Sequence, residues 1–292
     1  MKKYLNFLLI LMLPPLLTAS PLPPDNLPYM PWNHPRQSIP KGQVYHSFYY
    51  SKAHDNLRDV WVYTPPYYDK HNRNSYPLLV VLDGAAYVRD WMAAPVILDN
   101  LIGECRLQPM VALFVGSIEQ PVREIEKKPC DDKFADFLAN ELIPWLASMY
   151  NVSPNPAKTI IAGSSMGGLA ACYAAMKHPE RFGNVICQSG AFWWRPDASC
   201  NEEWFIERFA KNPKIPTKFY LDVGNQEVNL NYGSPSALQA NRDFHNMLKE
   251  KKYWVYYREV CGDHEYDSWR ATFPIALQVI NFQAFPKPYY SP

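Results

Sequence analysis

The sequence predicts an α/β fold, a mostly parallel central sheet with an antiparallel start and helices on both faces. Three observations carry this. Short β-rich runs alternate with helical patterns along the chain, the first two runs lie too close together for a helix between them, and one stretch shows sustained helical periodicity. The runs are Gln43 to Tyr50, Val60 to Thr64, Leu78 to Leu82, Val111 to Val115, Thr159 to Ala162, Val185 to Gln188, Phe219 to Val223 and Trp254 to Glu259. The periodic stretch starts near Asp132, where Phe134, Phe137, Leu138, Leu142, Leu146 and Met149 recur three and four apart. Pro144 interrupts it and is expected to kink or split the helix, because proline has no amide hydrogen to give. A second amphipathic helix is expected from about Ser236 to Lys249.

The segments before this pattern read differently. Lys2 and Lys3 precede an apolar run from Phe7 to Leu17 and the small residues Thr18, Ala19 and Ser20, the pattern of a secretory signal. The run falls short of the ~20 residues a membrane helix needs, so residues 1–20 are expected to be cleaved on export to a periplasmic or secreted location, with no stable membrane insertion afterwards. Residues 21–40 hold Pro21, Pro23, Pro24, Pro28, Pro31, Pro35 and Pro40 and read as a linker or an arm over the surface. Residues 41–292 are then one catalytic domain.

The 292 residues are 48% hydrophobic with a formal net charge of +1, which suits a globular protein and gives no reason to expect a nucleic acid partner. Of the six cysteines, Cys172 and Cys187 fall in apolar stretches and read as buried free thiols. Cys105, Cys130, Cys200 and Cys261 are the candidates for disulfides in an exported chain. Their spacing does not suit a metal, and no cofactor is expected.

The chemistry is carried by Gly163-Ser164-Ser165-Met166-Gly167-Gly168, which follows the apolar run Thr159-Ile160-Ile161-Ala162 and precedes a helix rich in small residues. A strand, a sharp turn and a helix around G-x-S-x-G form a nucleophile elbow, in which the glycines give clearance and Ser165 exposes its hydroxyl. The general base must come later in the chain, and the choices are His178, His245 and His264. His178 precedes Pro179 at the end of the elbow helix and reads as a cap, and His245 lies inside the second amphipathic helix. His264 sits just past the last strand, where a base belongs. The acid is expected on the loop after Lys218 to Val223, and Glu227 is the choice there; Asp222, inside the strand, is its rival, with Asp263 and Asp267 nearer His264 in the chain. An oxyanion hole would take the backbone N–H of Met166 and a second donor from the Leu82-Asp83-Gly84-Ala85 turn, with Ala85 chosen and Gly84 next.

On these and further motifs the sequence resembles the enterochelin esterase-like branch of the α/β hydrolases. The further motifs are Val62-Tyr63-Thr64-Pro65-Pro66, Glu141-Leu142-Ile143-Pro144-Trp145-Leu146, Pro179-Glu180-Arg181-Phe182-Gly183, Gln188-Ser189-Gly190 with Trp193-Trp194, and Gly262 through Trp269-Arg270. The resemblance implies an acid at Glu227 and an oxyanion donor after the Asp83-Gly84 pair. It implies an acyl-enzyme mechanism on a small-molecule ester, with a catecholate siderophore trilactone as the leading substrate and Arg123, Trp193 and Trp194 as its contacts. A feruloyl or acetyl carbohydrate esterase and an acyltransferase share these features. The alternative of another class is a periplasmic ligand-binding protein that has lost catalysis.

Overall fold

The computed structural model describes residues 31–116, 128–201, 203–228 and 236–281. The segment 1–20, residues 21–30 of the proline-rich arm, and Arg123 lie outside the described residues.

The strands are β1 (Gln43–Ser51), β2 (Asn56–Thr64), β3 (Leu78–Leu82), β4 (Val111–Val115), β5 (Thr159–Ser164), β6 (Asn184–Gln188), β7 (Lys218–Gly224) and β8 (Val255–Val260). They form one sheet in the order β1-β2-β4-β3-β5-β6-β7-β8. β2 runs antiparallel to both β1 and β4, and every later pairing is parallel. The antiparallel start follows from a connection too short to hold a crossover helix, whereas each later connection has room for one.

Side chains alternate across the sheet into two cores. Leu78, Val80 and Leu82 face a layer built from α3 (Asp132–Asp136), α4 (Ile143–Met149), α5 (Met166–Lys177), α6 (Trp204–Lys211) and α7 (Ala237–Glu250). Leu79 and Val81 face α1 (Gly84–Val88), α2 (Ala94–Gly103) and α8 (Tyr266–Asn281). All five residues of β3 are buried because both faces are covered, and each such side chain contributes roughly 1.5–3 kcal/mol of hydrophobic stabilisation. Trp32 belongs to the second core, and its indole N–H donates to Glu104 at 2.8 Å, so the last part of the arm is tied to the end of α2.

The long helix is broken as Pro144 requires, but N-terminal to it. Between α3 and α4 the residues Phe137–Leu142 form a π-helical segment. The proline ring would collide with the carbonyl one turn back, and the wider turn relieves that crowding while keeping Phe137, Leu138 and Leu142 in the core. The cysteines depart from one expectation. All six are free thiols: Cys105, Cys130, Cys200 and Cys261 sit on separate loops and do not pair, while Cys172 and Cys187 are buried. Burial pushes the Cys172 thiol well above its ordinary value.

Candidate active site

β5 and α5 meet at a turn that only this glycine pattern allows. A Cβ on Gly163 would lie 2.4 Å from the carbonyl carbon and oxygen of Gly167, and one on Gly168 would lie 2.7 Å from the Cys187 sulfur. Ser165 occupies the turn with φ 54° and ψ −121°, a conformation that is strained for a residue with a side chain. The surroundings fix it there. Its N–H donates to the Gln188 carbonyl at 2.9 Å, and its own carbonyl accepts from Leu169 at 3.1 Å and Ala191 at 3.0 Å.

His264 Nε2 lies 2.8 Å from Ser165 Oγ, and its Nδ1 lies 2.7 Å from Glu227 Oε2. The three residues come together because the loops after β7 and β8 are zipped to each other. The N–H of Asn225 donates to Val260 at 2.8 Å and that of Gln226 to Gly262 at 3.0 Å. Gly224 makes this approach possible, since a Cβ there would meet the Gly262 oxygen at 2.3 Å. Glu227 is only 2% exposed, and its Oε1 accepts from the Gly224 N–H at 2.7 Å and the Ser189 hydroxyl at 2.6 Å.

The other titratable candidates are engaged elsewhere. Asp222 is buried in β7 and accepts from the Tyr220 hydroxyl at 2.9 Å; burial pushes its carboxyl up to about 6. Asp263 accepts from Ser268 Oγ at 3.0 Å at the start of α8. His178 caps α5 between Asp136 and Glu180, at 2.8 and 2.9 Å. His245 stacks on Tyr257 with ring centres 4.3 Å apart.

Met166 is the first residue of α5, and Gly84 and Ala85 are the first two of α1. Amides at these positions have no acceptor one full helical turn back and are free to face a ligand anion. Asp83 turns the chain with φ 57°, and a Cβ on Gly167 would lie 2.9 Å from its Oδ2, so the β3–α1 turn rests on the elbow. Gly84 is itself pressed on β4, where a Cβ would meet Phe114 and Val115 backbone at 2.6 Å.

The two neighbouring tryptophans part company. The Trp193 ring stands at 65° to the His264 ring with centres 5.9 Å apart, whereas Trp194 turns to Trp204 on α6 at 5.8 Å. Trp269 is a contact that residue-by-residue reading of the sequence did not assign to the site. It sets its ring at 84° to His264 with centres 5.0 Å apart and donates its indole N–H to Ser189 Oγ at 2.8 Å. Its only advance signal was membership of a shared motif. An open cavity of about 470 Å³ at the start of α8 is lined by Trp91, Asp263, Glu265, Tyr266 and Asp267. Among the described residues no cluster of side chains suits a metal ion.

A mostly parallel sheet of this order, flanked by helices and carrying a serine turn after β5, is the α/β-hydrolase fold. The chain belongs to the Esterase family, described as "Putative esterase", whose model matches residues 51–280. It is 30% identical over 234 residues to the iron(III) enterobactin esterase of Dickeya dadantii, covering 75% of this chain and 51% of that protein. The structure of the enterobactin esterase of Shigella flexneri determined in the presence of enterobactin superposes with a TM-score of 0.73 at 27% identity, covering 89% of this chain and 63% of that one. A ferulic acid esterase of Anaeromyces mucronatus shares the fold at a TM-score of 0.69 and 19% identity, covering 85% and 93% of the two chains. The chain thus spans about half the length of the curated enterobactin esterases it matches.

Proposed function

We propose that this protein is an exported serine carboxylic ester hydrolase of the enterochelin-esterase type, working through an acyl-enzyme. The observation that carries the reading is His264, which bridges Ser165 Oγ at 2.8 Å and the buried Glu227 carboxylate at 2.7 Å at the end of a strained elbow. In this scheme His264 Nε2 takes the hydroxyl proton as Ser165 Oγ attacks the ester carbonyl, and Glu227 stabilises the imidazolium through the Nδ1 proton. The N–H groups of Met166 and Ala85 receive the negative charge that forms on the carbonyl oxygen. Collapse expels the alcohol with the proton from His264. Water activated by the same imidazole then releases the acid and restores Ser165.

Residues 1–20 act as the signal peptide, 21–40 as the proline-rich arm and 41–292 as the catalytic domain, with no cofactor required. The substrate is a catecholate trilactone of the enterobactin kind, on the strength of the relatives at 30% identity, with Trp193 beside the reacting centre and Arg123 as a further contact. The test is hydrolysis of an enterobactin-type trilactone, a feruloylated sugar and a short p-nitrophenyl ester by the wild type and Ser165→Ala. Turnover should fall by roughly 10⁴-fold or more in a variant that remains folded. Full activity in that variant would end the serine mechanism, and preference for the feruloyl ester over the trilactone would move the substrate to a carbohydrate ester.

A further inference from the structure

The pairing of Glu227 with His264 depends on which carboxylate oxygen faces the imidazole, and this rests on one hydrogen-bond chain. Oε1 is occupied by the Gly224 N–H and by the Ser189 hydroxyl, leaving Oε2 for His264. A serine hydroxyl has a single hydrogen that can rotate. Here the Trp269 indole N–H arrives at Ser189 Oγ at 2.8 Å and occupies a lone pair, so the hydroxyl hydrogen is free for Oε1 at 2.6 Å. Ser189 is held for this by its backbone, which adopts φ 47° and donates its N–H to the Asp222 carbonyl at 2.7 Å. Trp269 is held by Gln188, whose side-chain amide donates to the Trp269 carbonyl at 2.8 Å. Ser189, Glu227 and Trp269 are all buried, so water does not substitute for any link.

We propose that Ser189 and Trp269 are positioning residues for ester hydrolysis: the indole N–H aligns the Ser189 hydroxyl, which fixes Glu227 and thereby the orientation and basicity of His264. The inference rests on the reading of Ser165, His264 and Glu227 as the reacting group. Each link in the chain polarises the next, so loss of the indole donor weakens the Ser189 bond to the carboxylate. A carboxylate that loses a donor concentrates its charge on the oxygen facing the imidazole. The protonated form of His264 is then favoured, and the acid limb of the activity profile moves to higher pH.

The experiment compares Trp269→Phe, Ser189→Ala, their double variant and Ser165→Ala on a short p-nitrophenyl ester, across pH, after each is checked for native circular dichroism. Phenylalanine keeps an aromatic ring against His264 while removing the indole donor and part of the ring volume, so the Ser189→Ala comparison and the double variant isolate the hydrogen-bond chain. Each single variant should lose about tenfold in kcat with KM within about twofold, and its acid limb should shift upward. The double variant should match Ser189→Ala, because both changes cut the same chain. Single variants with wild-type kcat and an unmoved acid limb, or losses that multiply in the double variant, would overturn the proposal. If Ser189→Ala does not fold, the kcat and acid limb of Trp269→Phe decide alone. An active Ser165→Ala would instead remove the underlying mechanism, so the two failures are separable.

Discussion

The side chain of Asp83 rests on the one face of Gly167 where a Cβ would otherwise stand, 2.9 Å from the position that atom would take. The contact couples the turn carrying Ala85 to the elbow carrying Ser165 and Met166. It also separates two glycines that look equivalent in the G-x-S-x-G pattern.

At Gly167 the obstacle to a methyl group is a carboxylate oxygen, which can move; at Gly163 it is the backbone of Gly167 at 2.4 Å, which cannot move without opening the turn. Gly167→Ala should therefore fold with a Tm near that of the wild type but displace the β3–α1 turn and cut kcat by about tenfold or more. Gly163→Ala should lose both activity and about 1–3 kcal/mol or more of stability. Urea unfolding alongside ester turnover distinguishes them, and equal losses of stability would show that the Asp83 contact is as rigid as the backbone one.

Asp222 makes the pH dependence of stability testable. Burial raises its carboxyl from 3.8 to about 6 in the folded chain, against hydrogen bonds from Thr272 and Tyr220 that lower it. Below the unfolded value both states hold the proton, and the group has no effect on stability. As pH climbs from about 4 to about 6 the unfolded chain releases its proton while the native one keeps it, so stability falls, and above that range the whole penalty is present. The penalty is about 3 kcal/mol. Asp222→Asn has no such titration. The stability difference between Asp222→Asn and wild type, from urea unfolding, should grow in favour of the variant between pH 4 and pH 6 and be flat above; a constant difference across that range would mean the carboxyl is ionised throughout.

How much of this was legible in the sequence depends on how local each signal is. The run Leu78 to Leu82 and the elbow around Ser165 are set by near neighbours: β3 agrees with the expected run to the residue, and the turn at Ser165 lies between a strand and a helix as expected, although β5 runs on to Ser164 and α5 starts at Met166. Strand ends were less clear: β2 begins at Asn56 rather than Val60, since polar Asp59 and Arg58 join the ladder with β1 by backbone bonds that no hydrophobic pattern reveals. The π segment before Pro144 was hidden because the residue that causes it lies after it. Ser189 was hidden for a different reason. Its hydroxyl gains a place only through Trp269, 80 residues later, and through a backbone conformation that serine does not advertise.

The Trp193-Trp194 pair was the hardest to divide, because adjacent side chains at a loop have no periodicity to assign them, and it yields the last prediction. Trp193 stands against His264, while Trp194 packs on Trp204, which also meets the Arg208 guanidinium 5.5 Å from its ring centre. A ring beside the reacting centre adds contact area for an aromatic acyl group and little for an acetyl group. Trp193→Ala should therefore raise KM for a catecholate or feruloyl ester by about tenfold while changing that for a p-nitrophenyl acetate by less than about threefold. Trp194→Ala should leave both KM values in place and instead lower stability by about 1–3 kcal/mol, since it empties a half-buried packing site between the loop and α6. Steady-state kinetics on the two esters with thermal unfolding of both variants settles the division. Equal KM effects from the two substitutions would place Trp194 at the substrate as well, and an unchanged KM in Trp193→Ala would confine that ring to holding His264.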